Sequence, residues 1–232
     1  MKKKFYIIGL LFFLILTIGL GSIFDRLIED EPVRIKNVYV FPLDKTFILP
    51  KEIAKLIPLN GKTYKSIDIN EIEKKLEKNN FIQNAEVYKD LNGRLTAKIK
   101  QYQPIARVVH NSNSYYLDEK GDKKPLSTHF TENVVLVFGK IQDKEKNNLV
   151  ELIKTINHDK ILKNIVTEIH IKNNLIEVKT DLLAADMLID LNTDLKKQLI
   201  KLKAIYAYLT KKHQTQKYHH IDLRYARQAV CK

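Results

Sequence analysis

The spacing of apolar residues changes along this chain, and each spacing predicts a different kind of element. Phe5 to Phe24 is predominantly apolar and carries no charge, with Lys2, Lys3 and Lys4 immediately before it. At about 1.5 Å of rise per residue, twenty such residues span the roughly 30 Å hydrocarbon core of a bilayer. Flanking lysines are held on the cytoplasmic side, so the pattern predicts a retained transmembrane helix, residues 5–24, after a four-residue cytoplasmic arm. A cleaved signal peptide is the alternative, but its apolar region runs only about 7–15 residues before a small-x-small site. Here Gly19-Leu20-Gly21-Ser22 lies inside the run, with Ile23 and Phe24 beyond it. A soluble core helix is a third reading, and such helices are rarely polar-free on every face.

After an acidic linker over 25–32, closed by Pro32, the period shortens. Ile35, Val38 and Val40 alternate with polar residues and predict a first strand. Pro50 to Ile57 reads as a short helix with proline at its start, and Asn60-Gly61 as a turn. Asp68 caps a second helix running to Asn79, with Ile69, Ile72 and Leu76 on one face. Ala85 and Val87, then Leu95, Ala97 and Ile99, alternate on either side of Asn92-Gly93 and predict a hairpin. The order strand, helix, helix, strand, strand makes a small α+β unit, residues 33–109.

A second domain, residues 110–232, opens with Tyr115-Tyr116-Leu117 and a turn at Asp118 to Gly121. Val134 to Phe138 is continuously apolar and predicts a strand buried on both faces. Leu149, Leu152, Ile153 and Ile156 have helical spacing. Strands are predicted at Ile165 to Ile171, Leu175 to Thr180 and Met187 to Leu191, with a turn at Asn173-Asn174. A long helix follows over Asp194 to Lys212, with Leu195, Leu199, Leu202, Ile205, Tyr206 and Leu209 on its apolar stripe. Tyr218 to Cys231 reads as a terminal strand at the sheet margin. The fold class is α+β: an N-terminal transmembrane helix, a βααββ unit, and a mainly antiparallel sheet ending in an edge strand.

Composition narrows the function classes. Cys231 is the sole cysteine, so no intrachain disulfide forms. The formal net charge of +13 falls to +10 beyond the anchor and comes from 34 Lys and only 6 Arg, interleaved with acids. Nucleic-acid readers lean on the arginine fork, so this balance points instead to a solvated surface with some attraction to anionic headgroups. No Gly-rich phosphate loop, G-x-S-x-G, C-x-x-C or H-E-x-x-H occurs. His219 and His220 are adjacent in a predicted strand and point to opposite faces, which excludes a shared metal. Cys231 has no shell to activate it. The residues thus predict no enzyme, cofactor, metal, nucleic acid or small-molecule substrate. What remains is the terminal edge, either covered within its domain or open to a partner strand.

Ile99 to Ala106, following Phe81 to Val87, resembles the closing half of a POTRA module, where a V-x-x-A-x-V strand pairs with one ending E-x-x-P-x-A. An anchor followed by one POTRA module is similar to the FtsQ/DivIB cell-division family. Tyr116 to Gly121 resembles the opening of that family's β-domain, and Ile221-Asp222-Leu223-Arg224-Tyr225 its terminal D-L-R-Y strand. The resemblance implies a non-enzymatic divisome scaffold of the cytoplasmic (inner) membrane with its C-terminal domains in the periplasm at the septum. It would bind FtsB-like and FtsL-like single-pass partners and help regulate septal peptidoglycan synthesis. The partner-binding residues it implies are Arg224, Tyr225, Ala226, Arg227, Gln228 and Val230. The chain departs from the pattern in its short cytoplasmic arm, in Asn192 where a glycine is common, and in lacking aromatics just past D-L-R-Y. A POTRA-bearing outer-membrane assembly factor would instead run into a β-barrel; an anchored cell-wall enzyme would show a cleft of convergent titratable groups.

Overall fold

A computed structural model describes residues 2–29, 33–59, 62–63, 65–90, 94–172 and 175–232. The turns expected at Asn60-Gly61, Asn92-Gly93 and Asn173-Asn174, and the Pro32 stop, lie outside them. Helix α1 runs Lys2–Glu29, five residues into the expected linker. Asp25 to Glu29 contain no helix breaker, and the next proline comes three residues later. The side chains described in α1 are those of 9–21 and Ile23, so the expected span from Phe5 to Phe24 extends past them at both ends. Among the described residues no helix is long and apolar enough to cross a membrane. Leu10, Phe12, Phe13 and Ile15 within α1 are well exposed.

The chain divides into two compact units, residues 1–101 and 102–232. Beyond α1, the first contains β1 (Arg34–Phe41), α2 (Pro50–Leu56), α3 (Ile69–Glu77), β2 (Ile82–Lys89) and β3 (Arg94–Gln101). The sheet order is β1-β3-β2, with β1 parallel and β2 antiparallel to β3. This is the βααββ order predicted from the sequence. Asp68 caps α3, accepting from the Glu71 N–H at 3.2 Å, and Ile72 and Leu76 face the core with Ile53, Leu95, Ala97 and Ile99. A polar group stands at the end of that core. Gln101, fully buried, accepts from the Phe47 and Ile48 N–H groups at 2.7 and 3.2 Å and donates to the Lys45 carbonyl at 2.6 Å. It fixes the loop that leads into α2.

The second unit is built on β4 (Pro104–His110), β5 (Asn113–Asp118), β6 (Lys123–Lys124), β7 (Val135–Phe138), α4 (Asp143–His158), α5 (Leu162–Ile165), β8 (Val166–Lys172), β9 (Leu175–Thr180), β10 (Asp186–Ile189), α6 (Leu195–Lys211), β11 (His220–Asp222) and β12 (Val230–Cys231). The strands form one sheet in the order β12-β11-β10-β9-β8-β7-β4-β5-β6. Pairings β4–β7, β7–β8 and β10–β11 are parallel and the others antiparallel. Two of the parallel pairings are bridged by helical crossovers, as parallel neighbours require. Strand β4 takes its partners from this sheet, so the two units part at Gln101/Tyr102, ahead of the Val109 limit expected from the sequence. Alternation marks a strand without saying which sheet it joins.

One row of side chains crosses six strands in register: Val108, Val137, Ile169, Val178, Met187 and Ile221. All six are fully buried, in one core with Leu149, Leu152, Ile153 and Ile156 of α4 and Leu199 and Leu202 of α6. The other face is half-buried, as Leu136 and Phe138 show. Strand β7 is therefore closed on one face, not both. Its apolar run spans a polar-flanked outer face where Phe138 stacks on His170 with centroids 4.7 Å apart. Gly139 ends β7 at φ +114°, where a Cβ would lie 2.6 Å from the Ile171 carbonyl oxygen. Only glycine fits there.

Candidate partner-binding edge

A strand offers itself to another chain through unpaired N–H and C=O groups on its outer side. In the first unit that side of β2 is occupied. The Ala85 and Val87 N–H groups donate to carboxylate oxygens of Glu77 (3.2 Å) and Glu73 (2.7 Å) on α3. In the second unit the β6 end of the sheet is a two-residue strand of lysines, Lys123 and Lys124, the latter paired with Asp118 at 3.5 Å. Short, lysine-bearing edges resist strand addition. Strand β12 at the other end is equally short, Val230–Cys231, but holds no lysine.

That end is not the continuous strand expected over Tyr218 to Cys231. Strand β11 spans only His220–Asp222, residues 223–229 form a loop, and Val230–Cys231 return antiparallel to β11. One local and one tertiary tie bend the chain where alternation alone would carry it straight. The Asp222 carboxylate accepts from the Arg224 backbone N–H (3.0 Å), Nε (2.9 Å) and Nη2 (2.6 Å). The Lys201 ammonium of α6 donates to the Leu223 carbonyl and, at 2.5 Å, to the Tyr225 carbonyl. The Arg224 guanidinium is the main reason the Asp222 carboxyl titrates below its ordinary range, with Lys201 adding to the effect.

The six residues singled out from sequence therefore divide. Arg224, Tyr225, Ala226, Arg227 and Gln228 lie exposed in the connecting loop, and Val230 alone lies in β12. Arg224 is already engaged by Asp222, whereas Tyr225 presents its ring with 50% exposure. Ala229 packs on the core cluster. Three residues of this edge were missed. Lys201 and Asp222 shape the loop, and Cys231 holds the outward backbone groups. Residues His220 and Lys232 exchange both hydrogen bonds, at 3.1 and 2.9 Å. Antiparallel pairs alternate between bonded and non-bonded, so the next pair, Ile221 with Cys231, is non-bonded and the Cys231 N–H and C=O point away from β11. The signal for Lys201 was absent from the sequence: a lysine on a helix face reads as solvated.

His219 and His220 are both exposed, with His219 just ahead of β11. Among the described residues no group of three His, Cys, Asp or Glu side chains is placed to hold a metal. The open groove between α4 and α6 is lined by Lys154, His158, Asp159, Leu199, Ile200 and Lys203. Its Asp159 carboxyl is lowered to about 2, chiefly by the Lys203 ammonium 2.5 Å away and then by the Leu162 N–H. Asp159 and Lys203 thus neutralise each other as a structural tie between the helices.

The described residues thus form a βααββ unit and a separate mixed sheet that ends at β12. A family model described as FtsQ/DivIB, C-terminal related, matches residues 103–232, more than half of the chain, and one described as POTRA-like domain matches residues 42–100. The chain therefore belongs to the FtsQ/DivIB-related family, a division-associated scaffold family whose domains are typically non-catalytic. No curated protein matches it significantly.

Proposed function

We propose that this chain is an anchored, non-enzymatic divisome scaffold that captures FtsB-like and FtsL-like single-pass partners outside the cytoplasmic membrane and so helps regulate septal peptidoglycan synthesis. The observation that carries the reading is the uncovered outer side of β12 at the end of the sheet, alongside two other edges that are blunted. A partner strand adds there by main-chain pairing with Cys231, while Tyr225 and the neighbouring loop residues supply side-chain selection. Residues Phe5 to Phe24 behind Lys2 to Lys4 are the anchor, and the septum is the place of action. The family match and the order of the two domains support this assignment.

The test is co-purification of the full chain with an FtsB-like protein from the same organism. Cys231→Pro removes the outward donor while leaving the inward bonds of Val230 and Lys232 in place. Loss of capture by a folded Cys231→Pro chain is expected. Retained capture by that variant, or failure of the unaltered chain to bring down any FtsB-like protein, refutes the edge reading. A reporter placed after Lys232 is expected to be active only outside the cytoplasm, and a cytoplasmic signal overturns the topology.

A further inference from the structure

We propose that the open face of the β1-β3-β2 sheet is a docking surface for the headgroup region of an anionic phospholipid membrane. The inference rests on the reading of α1 as an anchor and adds a second contact with the same membrane. Alternation sends Val40, Ala97, Ile99, Ala85 and Val87 into the core. Their neighbours Tyr39 and Phe41 on β1, Tyr88 on β2, and Lys98 and Lys100 on β3 stand on the opposite face. Registers Tyr39↔Lys98, Phe41↔Lys100 and Tyr88↔Thr96 place them side by side. Tyr39, Phe41 and Tyr88 are 43%, 41% and 49% exposed, and Leu43, just past β1, is 74% exposed.

Three properties favour lipid over protein as the occupant. Charge comes first: Arg34 and Arg94 are paired across β1 and β3 on this same face, giving four cations with Lys98 and Lys100. Two acids border them: Glu86, opposite Lys98 and accepting from the Tyr88 hydroxyl at 2.6 Å, and Asp90, accepting from the Arg94 N–H at 3.0 Å, so the cations outnumber the acids two to one. Composition is second. Cores of protein interfaces are depleted in lysine, whereas tyrosine and phenylalanine beside snorkelling lysines is the chemistry of a membrane–water boundary. Lys98 lies over the Tyr88 ring at 5.1 Å, combining both in one pair. Position is third. From Glu29, where α1 ends, to Arg34, where β1 begins, the chain spans at most about 18 Å even when fully extended. The face is thus tethered within reach of whatever surface α1 enters, where anionic lipid attracts basic residues within a Debye length.

The chain contains no tryptophan, so a single introduced one reports its own surroundings. Full-length Tyr39→Trp is reconstituted into phosphatidylcholine vesicles with and without phosphatidylglycerol, with brominated lipid as quencher. Lys75→Trp, on the exposed side of α3, serves as control. Expected are a blue shift and quenching for Tyr39→Trp that require phosphatidylglycerol, weaken with salt, and are lost when Lys98→Glu and Lys100→Glu are added; Lys75→Trp stays unquenched. Equal quenching of the two tryptophans, or quenching indifferent to anionic lipid and to the charge reversals, overturns the proposal. A blue shift without quenching by brominated lipid assigns the face to a protein neighbour and overturns it too. Carbonate-resistant flotation of the same vesicles reads the anchor separately. A chain that floats with Tyr39→Trp unquenched refutes the docking face and leaves the anchor standing, and one that does not float refutes the anchor.

Discussion

Replacing Lys201 by methionine tests whether the terminal hairpin is held shut by α6. The ammonium donates to the Leu223 and Tyr225 carbonyls, the two points where the chain turns away from β11. A hydrogen bond to a charged group contributes about 1.5–3 kcal/mol. The Tyr225 bond is solvent-exposed and adds little after screening, so the loss is about 2 kcal/mol. Methionine keeps the apolar stem and packing. At 1.4 kcal/mol per decade, the opening equilibrium of the hairpin shifts about 30-fold. The amides that report it are those of His220 and Lys232, which bond across β11–β12. Their hydrogen exchange is expected to accelerate about 30-fold, with amides of the central strands unchanged. If a partner strand uses β12 as its template, affinity for an FtsB-like partner falls by up to the same factor, because only the closed hairpin is competent. Unchanged exchange refutes the clamp, and uniform acceleration across the second unit shows Lys201 to be a general stabiliser. Tighter partner binding shows that the partner displaces β12, contrary to the edge reading.

Other outcomes follow from buried polar ties. Gln101→Met strands the Phe47 and Ile48 N–H groups in the core. At about 1–3 kcal/mol for each unsatisfied group, the first unit is expected to lose about 2–6 kcal/mol in urea unfolding. A loss for Gln101→Met below about 1 kcal/mol would show that Gln101 is not what holds that loop. Acid should weaken the α4–α6 tie. The Asp159 carboxyl is depressed from 3.8 to about 2, so its contribution is complete above pH 4 and disappears as pH falls through 2. Thermal melts between pH 5 and 2 should fall less steeply for Asp159→Asn than for the unaltered chain, and parallel curves would dismiss the tie.

The elements of this fold are legible in the sequence where one face alone decides them. The i, i+3, i+4, i+7 spacing of Leu149, Leu152, Ile153 and Ile156 gives α4 because all four residues enter one core. Asp68 and Asp194 mark helix starts because each caps its own helix. Legibility fails where the decision is made by residues distant in sequence. Ile221, Leu223 and Tyr225 alternate as a strand should, yet Lys201 on α6 helps to turn the chain after Asp222. Gln101 and Gln198 are single polar residues in otherwise ordinary patterns. Only the folded chain shows Gln198 tying the Asp190 N–H and carbonyl, each at 2.9 Å, to α6. The edge was read correctly as terminal, but the residue that presents it outward is Cys231, one place beyond the residues singled out.

The buried row that crosses the sheet from Val108 to Ile221 has its next position at Cys231. The exposed cysteine is therefore the unfinished end of a hydrophobic stripe rather than an isolated thiol. A strand added beside β12 continues the stripe with whichever residue it sets opposite Cys231, on the α6 side of the sheet. That position must be apolar, and the residues before and after it must tolerate the half-buried outer face that holds Asp222 and Val230. On the edge reading proposed above, a partner strand would therefore need a short polar–apolar–polar pattern in fixed register, with its apolar side turned towards α6.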